Sequence, residues 1–81
     1  MARIIDGNAM NMVGDQVRKL RIERKTSQQV LSNKLEMMAI YVCPGSISRI
    51  EDKLRTVTDI ELYGLSQALD LPIIELYPKE Q

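Results

Sequence analysis

The 81-residue chain has no histidine, tryptophan or phenylalanine, and only one cysteine, Cys43. Each absence closes a class of function. Zinc sites of the usual His/Cys kind cannot form within one such chain, and an internal disulfide is excluded. No metal or cofactor is therefore expected. The chain holds neither an 18-residue apolar run nor a basic-then-apolar leader, so the expectation is a cytoplasmic protein without a membrane span. A Gly-rich phosphate loop is also missing, as is any carboxylate pair set apart from caps and salt bridges, and no enzyme is expected. Nothing marks a small-molecule ligand.

With aromatic residues limited to Tyr41, Tyr63 and Tyr77, a core has to be built from Leu, Ile, Val, Met and Ala. Those residues recur at helical spacing, which points to an all-α bundle rather than a sandwich. The length suits one domain, and a domain of this size buries only roughly 60% of its unfolded surface. The net charge is zero, but it is unevenly spread. Residues 1–55 hold ten Lys/Arg against six Asp/Glu, whereas residues 56–81 hold one against five. A basic portion followed by an acidic one fits a bipolar surface, with one side suited to phosphates.

Residues 1–11 show no sustained period and read as a loosely held arm. Val13, Val17 and Leu20 then line one face of a helix running to about Lys25, with Arg18, Lys19, Arg24 and Lys25 on the other face. Thr26-Ser27 supplies an N-cap for a second helix, in which Leu31, Leu35 and Met38 repeat the stripe. Ala39 to Cys43 is apolar and β-branched enough for an extended connection that tucks Met38 and Val42 under the bundle. Pro44 suits the first position of a third helix ending near Lys53, with Ile47, Ile50 and Leu54 inward. Thr58 and Glu61 form a capping box for a fourth helix bearing Leu62, Leu65 and Leu69. Pro72 opens a short fifth helix, which Pro78 ends before a tail at 78–81. Cys43 reads as a helix-cap or semi-buried thiol.

The pattern Ser27-Gln28-x-x-Leu31-Ser32-x-Lys34-Leu35, followed by Ser46-Ile47-Ser48-Arg49-Ile50-Glu51, resembles the lambda-repressor-like helix-turn-helix family, also called Cro-type or XRE. Val17-Arg18-x-Leu20-Arg21 is similar to the family's first helix. Thr58 to Asp70 and Leu71-Pro72-x-x-Glu75-Leu76-Tyr77 are similar to its fourth and fifth. The resemblance spans residues 12–77 and implies a compact five-helix DNA-binding domain. It further implies a sequence-specific transcriptional regulator, a repressor, with double-stranded DNA as partner. One α-helix fits the roughly 12 Å major groove, with its amino-terminal residues at the base edges.

On that resemblance Pro44, Gly45, Ser46 and Arg49 face bases, and Arg49 is the candidate for bidentate guanine readout. Gln28 binds a phosphate and braces the recognition helix, and Arg18, Lys53 and Arg55 contact further phosphates. Arg21 and Glu51 match a pair that in this family joins the first and third helices. Leu71, Ile73, Ile74, Leu76 and Tyr77 complete the core, form a homodimer interface, or both. A homodimer would set two recognition helices about 34–36 Å apart on a palindromic site.

The chain departs from the family's pattern in three places. Pro44 and Gly45 have no hydrogen-bonding side chain. The connection between helices two and three is about five residues longer than the usual tight turn, so Glu36 to Cys43 forms either a longer helix or a wider loop. Position 53, often glycine in the family, holds lysine, which suggests a differently shaped helix end. The rival reading is a helix-turn-helix module of antitoxin or phage-partner type that docks on protein without reading DNA.

Overall fold

The computed structural model describes residues 7–79, which form four α-helices and one 3₁₀ turn: α1 (Gly14–Glu23), α2 (Gln28–Glu36), α3 (Pro44–Glu51), α4 (Asp59–Ala68) and the turn Ile73–Leu76. The first six residues of the expected arm and the last two of the expected tail lie outside the described residues. The expectation of five helices is thereby corrected. Between Pro72 and Pro78 there is room for only a single 3₁₀ turn, since Pro72 is still extended at its start and Tyr77 is already extended at its end.

Local chemistry starts each helix. Ser27 accepts the Val30 N–H, and Thr58 and Glu61 close a reciprocal capping box. Pro44 occupies the first turn of α3, where its missing N–H costs nothing. The start of α1 is satisfied from upstream: Asn11 Oδ1 accepts from Val13 N at 3.1 Å and Gly14 N at 2.9 Å.

All four helices stop in the same way, with a left-handed residue just beyond the end. The residues are Lys25, Ala39, Lys53 and Asp70, with φ between 51° and 60°. After each of the four the two backbone bonds of a Schellman closure follow, for example Lys53 N to Ile50 O at 3.0 Å and Leu54 N to Arg49 O at 2.8 Å. Lys53 thus adopts the left-handed backbone that glycine favours. Leu54, expected inward, is 66% exposed, because the left-handed residue before it turns the chain away from the α3 stripe. α2 ends at Glu36, so Met38 lies past the helix, half-buried against the core. The α2–α3 connection is consequently the wider loop, pinned by Ser32 Oγ donating to Val42 O at 2.7 Å.

The core is a single aliphatic cluster. Val17 and Leu20 of α1, Leu31 and Leu35 of α2, Ile47 and Ile50 of α3, and Leu65 of α4 with Leu69 just past its end all meet in it, closed by Val42 and Leu76. Two glycines set close approaches. A Cβ at Gly14 would collide with the backbone carbonyls of Ile50 and Glu51, so the start of α1 rests directly on the end of α3. A Cβ at Gly64 would lie 2.6 Å from Ile40 Cδ1 and 2.9 Å from Leu35 Cδ2, so α4 seats the end of α2. Among the described residues no helix is long and apolar enough to cross a membrane.

Candidate nucleic-acid interface

The candidate interface is organised around one buried carboxylate. Glu51, in the last turn of α3, has no solvent-exposed side chain. Arg21 of α1 meets it with two donors, Nε to Oε2 at 2.6 Å and Nη2 to Oε1 at 3.1 Å. Gln28 of α2 donates from Nε2 to Oε1 at 3.1 Å, and Arg18 approaches the same oxygen at 3.4 Å. Arg21 also donates to Thr26 O at 2.9 Å, in the turn between α1 and α2. Three helices are thus tied to one side chain, and the angle between α2 and α3 is set by directional bonds as well as by packing.

This arrangement leaves one face of α3 outward. Ile47, Ile50 and Glu51 are buried, Ser46 and Pro44 are half-buried, and Gly45 and Arg49 are exposed. Arg49 Nη2 donates to Ser46 Oγ at 3.3 Å, so two of the four expected base-facing residues touch each other. A Cβ at Gly45 would meet nothing nearer than Cys43 Sγ at 4.0 Å, so the fold itself does not require glycine there. Cys43 is exposed as the N-cap residue of α3, with its Sγ 3.4 Å from Ser46 Oγ. Hydrogen bonds from the Ser46 hydroxyl, then the Ser46 and Gly45 amides, hold its thiol below the ordinary range. A groove of about 330 Å³ beside α3 is lined by Ser32, Glu36, Tyr41, Val42, Cys43 and Ser46, and Tyr41 is 78% exposed.

The four residues expected on phosphates are already engaged within the protein. Gln28 is on Glu51. Arg18 reaches Asp52 at 2.7 Å, Lys53 reaches Asp15 at 3.0 Å, and Arg55 grips both oxygens of Glu61 at 3.3 and 3.0 Å. Of the five carboxy-terminal apolar residues, Leu76 is fully buried, while Leu71 and Tyr77 pack on the core. Ile73 and Ile74 remain exposed, as do Ile60 and Tyr63 of α4.

One positioning residue escaped the sequence reading. Asn11 was assigned to the arm, yet its Nδ2 donates to Ile50 O at 3.1 Å and Arg55 O at 2.8 Å while its Oδ1 caps α1. It therefore holds the end of α3 and the following loop against the start of α1. An asparagine two residues before a helical stripe is a local capping signal that was open to view. Its two long-range bonds had no local signature.

Neither a family model nor a curated protein sequence matches the chain. Solved structures do. The restriction-modification controller protein C.AhdI from Aeromonas hydrophila superposes with a TM-score of 0.71 at 25% identity, covering 80% of this chain and 91% of that one. The DNA-binding domain of BldD superposes with a TM-score of 0.71 at 20% identity, covering 91% of this chain and all of that one. In the order of its motifs and in its fold, the chain resembles the lambda-repressor-like, Cro-type helix-turn-helix regulators.

Proposed function

We propose that the chain is a sequence-specific DNA-binding transcriptional regulator that presents α3 to the major groove as a homodimer and represses by occupying its site. The observation that carries this reading is the outward face of α3, where exposed Arg49 and half-buried Ser46 stand together on a helix that Glu51 ties to α1 and α2. Preorganised donors on a rigid helix are what base-edge readout requires. The superposition on a restriction-modification controller and on a DNA-binding domain supports the same reading.

Gly45 adds a second support. Glycine in the first turn of a helix carries an entropic cost, and here no neighbouring atom excludes a side chain. A position kept bare toward solvent suits close approach of a DNA backbone or a thymine methyl. The exposed Ile60, Tyr63, Ile73 and Ile74 suit the dimer contact, with Leu76 left to the monomer core.

The test is anisotropy titration of the protein against random-sequence duplex and a selected pool at two salt concentrations. Enrichment of a palindromic site, steep weakening with salt, and loss of preference in Arg49→Ala support the reading. Gly45→Ala should fold normally and weaken binding. Absence of binding even at low salt would sink the DNA function and favour a protein-docking module.

A further inference from the structure

The cations nearest the end of α3 are not free. Arg18 of α1 spans Asp52 at 2.7 Å and Glu51 at 3.4 Å, and Lys53 meets Asp15 of α1 at 3.0 Å. Glu51 is the buried hub, but Asp52 and Asp15 are surface groups, the latter 80% exposed. Among the described residues neither aspartate side chain caps a neighbouring helix, and neither carboxylate has a hydrogen bond beyond these ion pairs. Four charges, two of each sign, therefore cancel at the α1–α3 junction, where α3 ends.

We propose that Asp15 and Asp52 are specificity-determining residues: built-in counter-anions that hold Lys53 and Arg18 in the free protein and are exchanged for DNA phosphates on binding. The inference rests on the DNA-binding reading above. A duplex phosphate carries the same single negative charge as each aspartate. Swapping one anion for the other brings little net attraction, and each displaced carboxylate stays close enough to repel the backbone. Random DNA, which offers only phosphates, is thereby held weakly. A site that also satisfies Arg49 gains base contacts that the aspartates cannot mimic. The pairs thus lower affinity for all DNA while raising the weight of base readout in the total, which is specificity by built-in competition.

The same proteins and duplexes test it. Asp15→Asn and Asp52→Asn each remove one charge without changing shape, and thermal unfolding checks that both variants remain folded. Each should bind random duplex about threefold to tenfold more tightly, with a smaller gain on the selected site, so the preference ratio falls. Lys53→Met should cost more affinity in the Asp15→Asn background than in the wild type, because only there is the ammonium unopposed. Asp70→Asn, the same charge change beyond α4, should shift affinity less than twofold. Unchanged binding in the two variants, an equal gain from Asp70→Asn, or an additive Lys53→Met cycle would overturn the proposal while leaving DNA binding intact. A wild-type protein that binds no duplex would instead remove the reading on which it stands.

Discussion

The two ends of this molecule are held by different physics. Where α1, α2 and α3 meet, a buried carboxylate accepts bonds from Arg21, Gln28 and Arg18, and Asn11 braces the same junction through two backbone carbonyls. Where α4 meets the rest of the chain, Leu65, Leu69 and Leu76 interlock with Leu35 and Val17 in one aliphatic cluster, and the polar contributions are peripheral. Apolar packing is non-directional and tolerates small rotations, so it supplies stability without specifying an angle closely. Hydrogen bonds to a buried charge are directional and punish misalignment. The polar end carries the face proposed to meet DNA, and there an angle matters most.

That contrast can be broken by one substitution on each side. Glu51→Gln leaves Arg21, only 13% exposed in its side chain, facing an amide, and should cost about 3–5 kcal/mol in urea unfolding. For a domain whose whole stability is of order 5 kcal/mol, that is close to unfolding. Removing both charges with Arg21→Leu and Glu51→Leu should recover much of the loss, yet leave DNA affinity poor because α3 is no longer aligned. Leu65→Ala should cost about 3 kcal/mol through the cavity it leaves, while the folded fraction keeps its DNA affinity. If the restored double variant bound as well as wild type, the directional role assigned to Glu51 would be wrong.

Much of this architecture was legible in residue spacing. Val17 with Leu20, Leu31 with Leu35, Ile47 with Ile50, and Leu65 with Leu69 all sit at helical intervals and all are buried. The starts were legible as well, because Ser27, Pro44 and the Thr58–Glu61 box are local chemistry. The ends were not. Glycine usually marks a helix stop, but here Lys25, Ala39, Lys53 and Asp70 take the left-handed position, so α1 and α3 each read two residues too long. The anions of the candidate face were hidden for another reason. Asp15 and Lys53 lie 38 positions apart, and Arg18 and Asp52 lie 34 apart, separations at which only the tertiary fold decides partners.

Glu61 sharpens the comparison from the apolar end, where it is the main polar tie. Burial raises its carboxyl, but hydrogen bonds from Arg55 and Thr58 and the Arg55 charge outweigh this and hold it below the usual carboxylate range. A carboxyl depressed by folding stabilises at every pH above its unfolded value near ~4.3, and the contribution is lost as pH falls through the lower folded value. Glu61→Gln should therefore cost about 1 kcal/mol at neutral pH and progressively less on acidification. Urea midpoints of both proteins should draw together as pH falls below the unfolded value and meet once it has passed the lower folded one. A gap that persisted there would point to the cap geometry alone, with no part for the ion pair.

The smallest expected effect lies at the joint between the two ends. Ala39 ends α2 at φ 60°, with its N–H on Glu36 O and the next N–H, of Ile40, on Leu35 O, both at 2.9 Å. Ile40 then carries the chain onto Gly64 of α4, while Val42 leads into α3. A left-handed non-glycine residue costs roughly 1–2 kcal/mol, and glycine would relieve that while adding freedom to the unfolded chain. The difference should leave Ala39→Gly more stable by about 0.5–1 kcal/mol, read as a higher urea midpoint with an unchanged slope. Lys53→Gly offers the same backbone relief at the polar end but gives up the Asp15 pair, so its gain should be smaller. Equal gains at the two sites would mean that the Lys53–Asp15 pair contributes nothing to the free protein. It would then be available to phosphate without cost, which is the point at which folding stability and DNA affinity can be weighed against each other.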